Sequence, residues 1–322
     1  MHRRFRFQPI VSLALFMLFS LAGSAAAQDK EKKKEVIPPG TAILWREPVD
    51  IATRDLYLGA GGEAMKPDLS RVTLIKEEKG GYSTKYRVRD GAGREWSVKV
   101  GREAQPETAA VRLMYGVGYF ADVDYLVPSV RIEGLNKTLE NARFGARPKE
   151  IKRIDEWSWE QNPFAGKREF QGLKIMMALL NNWDLKDSNN RILVVRGDGQ
   201  TELQYIVHDL GATFGKSGGA FWRITRTRND PSGYEKATFI DGVKNGHVEF
   251  HYTGKSSSLF ENITVEDALW MGRLLSQLSD RQIEDAFRAA NYKPEEVRQL
   301  AGALRDRIKE LEGVSTLTAE RQ

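Results

Sequence analysis

The chain has 322 residues, of which 41% are hydrophobic and 29% are charged. This ordinary composition excludes a disordered, collagen-like or polytopic membrane protein. The length predicts two lobes, because a single hydrophobic core stops growing at roughly 250 to 300 residues. The chain contains no cysteine, which excludes disulfides, lipoprotein attachment, thiolate metal sites and cysteine nucleophiles.

Residues 1–27 have the layout of a secretory signal peptide. Arg3, Arg4 and Arg6 are combined with an apolar run over residues 10–22 and with the small residues 25–27, as in a positive start, an apolar region and an A-x-A cleavage site. We therefore predict an exported protein, periplasmic or secreted. The alternative is a membrane anchor, but the run is shorter than the roughly 20 residues that a span needs. We expect no stable membrane span after cleavage.

The positive charge of the whole chain does not predict a nucleic-acid partner. The formal net charge is +5, from 49 Lys and Arg and 44 Asp and Glu. Removal of the three arginines in residues 1–27 leaves 46 basic and 44 acidic residues, a net charge of +2. Binding of nucleic acid by bulk charge then has no support.

Residues 28–40 are mostly charged and end in Pro-Pro-Gly, which indicates a linker. We predict a β-rich N-terminal lobe over residues 41–150. Three stretches between Val72 and Val100 alternate between apolar and polar residues and are separated by glycine turns, which indicates an antiparallel meander. A helix is predicted to begin at Pro106, since proline suits the first helical position.

Residues 151–322 predict a larger, mainly helical lobe. The segment after Ile151 is loop-like, and an apolar helix follows over 170–183. Two hairpins are predicted, at 191–207 and 238–253, and three helices end the chain, one of them capped by Ser279. The fold class is therefore α+β, with a small antiparallel lobe carrying one helix and a larger helical lobe.

Three separate segments carry the residues with chemical potential. Lys99 lies on the sheet face opposite Trp96 and Val98, and Asp184 heads a polar turn that includes Asn189. Asp209 follows an apolar strand. Antiparallel pairing about Gly199 should bring Asn189 and Asp209 side by side, because each lies ten residues from that glycine. Such oxygen ligands suit Mg²⁺ or Mn²⁺, and these ions hold phosphate oxygens.

These residues resemble the motifs of protein-kinase-like enzymes. Asp184 to Asn189 matches D-x-K-x-x-N, Asp209 to Gly211 resembles D-F-G, and Val98-Lys99 resembles the end of V-A-I-K. The chain is more similar to the atypical branch, which includes HipA-type, phosphatidylinositol-kinase-like and secretory-pathway kinases. The resemblance covers about residues 72 to 290 and implies a bilobal protein-kinase-like fold.

The resemblance implies a role for each matching residue of the C-terminal lobe. Asp184 would orient or deprotonate the acceptor hydroxyl, and Lys186 would steady the transferred phosphoryl group. Asn189 and Asp209 would bind the metal ion. The implied cofactors are ATP or another nucleoside triphosphate with Mg²⁺ or Mn²⁺, and the acceptor is an unknown hydroxyl of a protein, sugar or lipid.

In the N-terminal lobe the resemblance implies the nucleotide contacts. Lys99 would hold the α and β phosphates, and Glu107 would pair with Lys99. Glu103 is the less favoured pairing residue, because it precedes the predicted helix. No G-x-G-x-x-G occurs before Lys99, and the corresponding turn contains Gly80 and Gly81, whose backbone amides could hold phosphate.

A further resemblance joins the chain to a group of exported bacterial proteins. It rests on the segments LWREPVDIATRDL, KVGREAQPETAAVRL and REFQGLKIMMALLNNWDLKDSNN. This resemblance implies only the fold.

Two other functions stay open from the sequence. A catalytically inactive kinase-fold protein could act as a binding or scaffold protein of the cell envelope. A zinc hydrolase could use His247, Glu249 and His251, which alternate along one face of a predicted strand. For these three residues a polar outer face of a hairpin is the favoured interpretation.

The remaining polar and aromatic residues have competing interpretations. His208 is predicted to be a packed neighbour of Asp209 and not a general base. Arg223, Arg226 and Arg228 either bind an anionic acceptor or lie in a solvated loop. The tryptophans of DEWSWEQNPF are predicted to pack in the core, with sugar stacking as the alternative.

Overall fold

The computed structural model describes residues 36–78, 84–197, 199–218 and 225–319. The predicted signal peptide and the first part of the predicted linker lie outside these ranges. The eleven strands of the described residues are β1 (Thr41–Ile43), β2 (Thr73–Glu78), β3 (Lys85–Arg89), β4 (Glu95–Lys99), β5 (Asp124–Arg131), β6 (Thr138–Ala146), β7 (Lys152–Asp155), β8 (Asn190–Gly197), β9 (Gln200–Val207), β10 (Ile240–Lys244) and β11 (His247–Phe250). Their α-helices are α1 (Ala104–Gly116), α2 (Arg168–Leu179), α3 (Pro231–Glu235), α4 (Val265–Leu275), α5 (Asp280–Arg288), α6 (Pro294–Glu312) and α7 (Thr316–Ala319).

The first sheet has five antiparallel strands in the order β2-β3-β4-β6-β5. The predicted meander of β2, β3 and β4 is confirmed. Strands β5 and β6 were not predicted from the sequence, because they contain a proline, a glycine and several charged residues and so lack a clear alternation. Helix α1 packs on these two strands and begins at Ala104, two residues before the predicted start.

The two faces of strand β4 have opposite characters, as the alternation predicts. Trp96 and Val98 are buried in a hydrophobic cluster with Tyr86, Phe144 and other apolar residues of this sheet. Lys99 points away from this cluster. The apolar face packs in the hydrophobic cluster, and the opposite face carries Lys99.

The second sheet joins distant parts of the chain in the order β1-β9-β8-β7. The predicted hairpin of β8 and β9 is confirmed, but the loop-like prediction after Ile151 is wrong for β7, which pairs with β8. Strand β1 pairs with β9 in parallel. The start of the predicted N-terminal lobe is thus held by the sheet of the other lobe.

The register of the β8–β9 hairpin differs by one residue from the symmetric prediction. Gly197 pairs with Gln200, and Asn190 pairs with Val207. Only two residues separate the ends of the paired strands, so Gly199, with φ of 76°, takes the left-handed conformation that such tight turns require. The extension of this register sets Asn189 opposite His208, next to Asp209.

The three predicted C-terminal helices are confirmed as α4, α5 and α6, and they pack with α2 in one large hydrophobic core. Ser279 caps α5 through a capping box with Gln282, as predicted, and Thr264 caps α4 with Asp267 in the same way. Trp157 and Trp159 are buried in this core, which confirms core packing. None of the described helices is both long and apolar enough to cross a membrane.

Candidate active site

Lys99 lies at the centre of a group of carboxylates. Its side chain is 2% exposed, and its Nζ is 2.9 Å from Oε2 of Glu107 and 2.8 Å from Oε2 of Glu103. Oδ1 of Asp209 lies 3.4 Å away. The expected contact with Glu107 is present, and Glu103, the less favoured pairing residue, also pairs with Lys99 from the N-cap position of α1.

A second buried cation, Arg143, supports this group from strand β6. Its Nη1 is 2.9 Å from Oε1 of Glu107 and 2.8 Å from Oδ2 of Asp124. Burial raises the pKa of Glu107, an effect that Arg143 and Lys99 oppose. Arg143 and Asp124 were not identified from the sequence; the only signal was a charged residue within each of two apolar stretches.

Asp209 follows β9 by two residues and faces both the buried group and the solvent. Its side chain is 35% exposed. Burial raises its pKa, but Lys99 and His208 lower it more, to about 2. Asp209 is therefore ionised at neutral pH and keeps a reachable carboxylate surface.

The glycine of the D-x-G segment is required by close packing. A Cβ atom at Gly211 would lie 2.7 Å from Cβ of Glu103, which is closer than real Cβ atoms approach. The backbone N–H of Gly211 also donates to Oδ1 of Asp209 at 3.3 Å. The backbone of Gly211 thus lies directly against Glu103, at the start of α1, and is hydrogen-bonded to Asp209.

Asn189 is hydrogen-bonded both to the segment that contains Asp209 and to Asp184. Its backbone carbonyl accepts hydrogen bonds from the N–H groups of His208 at 2.7 Å and Asp209 at 3.3 Å. Its Nδ2 donates to the backbone carbonyl of Asp184 at 2.7 Å. The predicted neighbourhood of Asn189 and Asp209 is thus present despite the shifted register.

The oxygens of this pair suit a divalent cation. With Nδ2 of Asn189 engaged by Asp184, the side-chain Oδ1 is the atom left to act as a ligand, and the ionised Asp209 supplies a carboxylate. Both are the hard oxygen donors that Mg²⁺ and Mn²⁺ prefer. The donor set fits the implied metal chemically.

Asp184 is held between two lysines. Nζ of Lys186 is 2.7 Å from Oδ2, and Nζ of Lys255 is 2.8 Å from Oδ1, an ion pair without hydrogen-bond alignment. Burial raises the pKa of Asp184, but Lys186 and Lys255 lower it by more than burial raises it, so the pKa lies below its ordinary value. Asp184 is therefore ionised at neutral pH.

Lys255 follows β11, is distant from the motif in the chain, and was not identified from the sequence. Its backbone N–H donates to the carbonyl of Trp183 at 3.0 Å. The hydroxyl of Tyr252 donates to the carbonyl of Asn182 at 2.7 Å, and that of Ser256 to the carbonyl of Leu185 at 2.9 Å. Three contacts therefore hold this segment on the Asp184 loop. No sequence signal predicts them.

Several solved kinases resemble the chain in structure. The Helicobacter pylori proinflammatory kinase CtkA matches at 12% identity and a TM-score of 0.48, covering 79% of this chain and 98% of the other. The Rio2 kinase of Chaetomium thermophilum, solved as an ADP/Mg²⁺-phosphoaspartate complex, matches at 12% identity and a TM-score of 0.33, covering 77% and 74%. The golgi casein kinase matches at 10% identity and a TM-score of 0.32, covering 82% and 85%. No protein-family model and no curated protein matches the chain.

His208 is a packed residue, as predicted. It contacts Asp122 through Nδ1, and Nη2 of Arg153 lies 3.0 Å from the same nitrogen. Burial lowers the pKa of His208, although Asp122 opposes this shift. Nδ1 of His208 is thus occupied by contacts with Asp122 and Arg153, which does not suit a general base.

Arg226 and Arg228, which follow the D-x-G segment, are half-buried and contact other residues of the protein. The guanidinium carbons of Arg226 and Arg228 lie 5.2 and 4.7 Å from the centre of the Trp183 ring, and Arg228 also pairs with Glu103. These contacts tie the segment to both lobes. Arg223 lies outside the described residues, as do Gly80 and Gly81 of the predicted phosphate-binding turn.

The zinc alternative has no support in the described part of the chain, where no three His, Cys, Asp or Glu side chains are grouped as metal ligands. His251 contacts Asp241 through Nδ1 at 2.9 Å, and His247 contacts the carbonyl of Asn245 at 3.0 Å. The neighbouring Val248 and Phe250 are buried. The polar outer face of a hairpin is thus confirmed.

Proposed function

We propose that this protein is a kinase-like phosphotransferase that binds a nucleoside triphosphate with Mg²⁺ or Mn²⁺ and transfers phosphate to a hydroxyl acceptor. We also propose its export to the periplasm or beyond, on the signal-peptide pattern of residues 1–27. The division into lobes at residues 41–150 and 151–322 is part of the same proposal.

One observation carries the proposal. The ammonium group of Lys99, from the first sheet, lies 3.4 Å from the carboxylate of Asp209, at the end of a strand of the second sheet. Asn189 is bonded to the backbone of Asp209 and Asp184. A cation, two metal-type oxygen donors and a carboxylate are thus joined, which is what positioning and charge neutralisation of a phosphoryl group require.

In this proposal each residue of the chain has a distinct task. Asp209 and Asn189 would hold the metal ion, which neutralises phosphate charge when bound. Lys99, kept in place by Glu107, would contact the α and β phosphates. Asp184 would orient the acceptor hydroxyl, and Lys186 would face the transferred group.

The test is calorimetric titration of the mature protein with ATP and with other nucleoside triphosphates, in the presence of Mg²⁺ or Mn²⁺. We expect metal-dependent binding that is lost in Asp209→Ala. Asp184→Ala should bind nucleotide like the wild type but lose phosphate transfer. Absence of binding at millimolar nucleotide would refute the proposal.

A second candidate is a catalytically inactive, kinase-fold binding or scaffold protein of the cell envelope. It is favoured by the state of Asp184, both of whose carboxylate oxygens are paired with lysines. Incubation with radiolabelled nucleotide and a cell-envelope extract separates the two candidates. Labelled protein, sugar or lipid would support the transferase, whereas nucleotide binding without any labelled product would support the scaffold.

A further inference from the structure

Two cavities between the first and second sheets share part of their lining. A cavity of about 280 Å³ lies below the first sheet, beside Lys85 and Arg143. A larger one of about 560 Å³ extends behind residues 146–151 toward α1. Arg87, Arg147 and Arg153 line both cavities, so their guanidinium groups mark the junction.

The lining of the smaller cavity is mainly cationic. Among its cations, Arg87 is ion-paired with Glu78 at 3.3 Å, and Arg143 with Glu107 and Asp124. Six of its nine lining residues are lysine or arginine, and Glu78 is its one acidic residue. The cations are Lys85, Arg87, Arg143, Arg147, Arg153 and Arg191. Such a lining is unsuited to a neutral ring but well suited to an anion.

The nearest buried carboxylate does not neutralise the junction. Asp122 is 2% exposed and pairs with Arg153 at 2.7 Å, and it also contacts His208. Arg147 lies 3.8 Å from the same carboxylate, and its side chain is only 12% exposed. One carboxylate therefore serves two guanidinium groups and an imidazole.

The environment of Arg147 shows the effect of this shortage. Burial lowers the pKa of Arg147 to about 10, and Asp122 only partly opposes this shift. Its Nη1 donates to the carbonyl of Ala146 at 2.7 Å, a neutral acceptor. A buried cation with weak compensation is costly unless a ligand completes it.

We propose that the junction is an anion-binding subsite for a phosphate group of a small molecule, formed by Arg147 and Arg153 with Arg87. Guanidinium groups bind phosphate oxygens in bidentate geometry. The subsite is separate from the proposed metal pair, because none of its three arginines contacts Asn189 or Asp209 among the contacts of the described residues. It stands whether or not the protein transfers phosphate.

The test is calorimetric titration with pyrophosphate in the absence of divalent metal, at low ionic strength. We expect binding to the wild type that weakens as salt is added, because exposed parts of the cluster are screened. Arg147→Gln should weaken binding at least tenfold. Arg87→Gln, at the other side of the junction, is a second variant and should also weaken it, so a folding failure of one variant does not decide the result.

The matched control is Arg196→Gln, which removes the same charge from an exposed position of β8 away from both cavities. Its affinity for pyrophosphate should equal that of the wild type. Equal affinity in folded Arg147→Gln and in the wild type would overturn the proposal, as would absence of pyrophosphate binding to the wild type at millimolar concentration. Folding of each variant is checked by thermal unfolding.

The source of the phosphate is distinguished by adding ATP. Competition between ATP and pyrophosphate, with weaker ATP binding in Arg147→Gln, would assign the subsite to the nucleotide phosphates. Simultaneous binding of both would assign it to a phosphorylated second ligand. Either result supports the subsite, and loss of neither ligand in Arg147→Gln contradicts it.

Discussion

Two ionic groups in the candidate site differ sharply in burial. The upper group, which consists of Lys99, Glu103, Glu107, Arg143 and Asp124, has side chains at most 9% exposed. The lower group, which consists of Asp184, Lys186 and Lys255, has side chains between 19% and 42% exposed. Ion-pair distances are similar in both.

The difference in burial predicts which of the two groups affects stability. Removal of one partner from a buried pair leaves a charge without compensation in a medium of low polarity, which costs about 3 to 5 kcal/mol. An exposed pair contributes only about 0 to 1 kcal/mol. We therefore expect the upper group to control stability and the lower group to control turnover with little effect on stability.

The largest effect is expected for Glu107→Ala. It leaves Arg143 and Lys99 with fewer carboxylates in a buried site, and we expect a loss of about 3 to 5 kcal/mol in the free energy of unfolding. Urea denaturation measures this loss. The control is Glu266→Ala, which removes an exposed carboxylate paired with Arg168 and should cost under about 1 kcal/mol. Equal losses in the two variants would contradict the comparison.

Two glycine substitutions should change stability in opposite directions. Gly211→Ala forces Cβ against Glu103 and should cost about 1 to 3 kcal/mol, as overpacking does. Gly302→Ala, in α6, meets no atom within 4 Å and should stabilise the helix by about 0.5 to 1 kcal/mol. Thermal unfolding with matched urea titrations measures both. A stable Gly211→Ala variant would show that the upper group can rearrange.

Asp209 lies between the two groups and should give the stability a specific dependence on pH. Its folded pKa of about 2 is below the unfolded value near 3.9. A depressed carboxyl pKa stabilises the folded state above the unfolded pKa, and this stabilisation is lost as the pH falls from about 4 to 2. Urea unfolding over this range should therefore show a smaller loss of stability in Asp209→Asn. If the free energy of unfolding depends on pH equally in the variant and in the wild type, Asp209 is not ion-paired in solution.

The smallest stability effect is expected for Lys255→Met. The lysine is 41% exposed and pairs with Asp184, so the free energy of unfolding should change by less than about 1 kcal/mol. Under the proposed function, phosphate transfer should change at least tenfold, because Asp184 loses a cation that sets its position and lowers its pKa. Lys309→Met, which removes an exposed lysine paired with Asp306, is the control. An equal rate in both variants would exclude Lys255 from the site.

Much of the candidate site could be predicted from short sequence segments. The alternation in β4 sets Lys99 opposite the apolar face, and the hairpin turn brings Asn189 close to Asp209, because both depend on local backbone geometry. The prediction of register failed by one residue, since the centre of symmetry lies before Gly199 and not on it. The predicted start of α1 at Pro106 is two residues late, since the helix begins at Ala104 with Glu103 at its N-cap position.

Residues without a local signal could not be predicted. Arg143 and Asp124 belong to strands whose alternation is interrupted, and a charge in such a strand predicts exposure unless its partner is known. Lys255 reaches Asp184 only because Tyr252 and Ser256 bond to the Asp184 loop. Contacts between segments this distant in the chain leave no periodic pattern.

The sequence by itself determined the α+β class, the capped C-terminal helices and the set of Lys99, Asp184, Asn189 and Asp209, because spacing along one chain fixes which side chains share a face or a turn. The tertiary structure alone decided which charges are buried together, how the strands of the second sheet join the two ends of the fold, and that Arg147 shares the carboxylate of Asp122 with Arg153 and His208. Burial and compensation of charge depend on segments that approach one another only after folding.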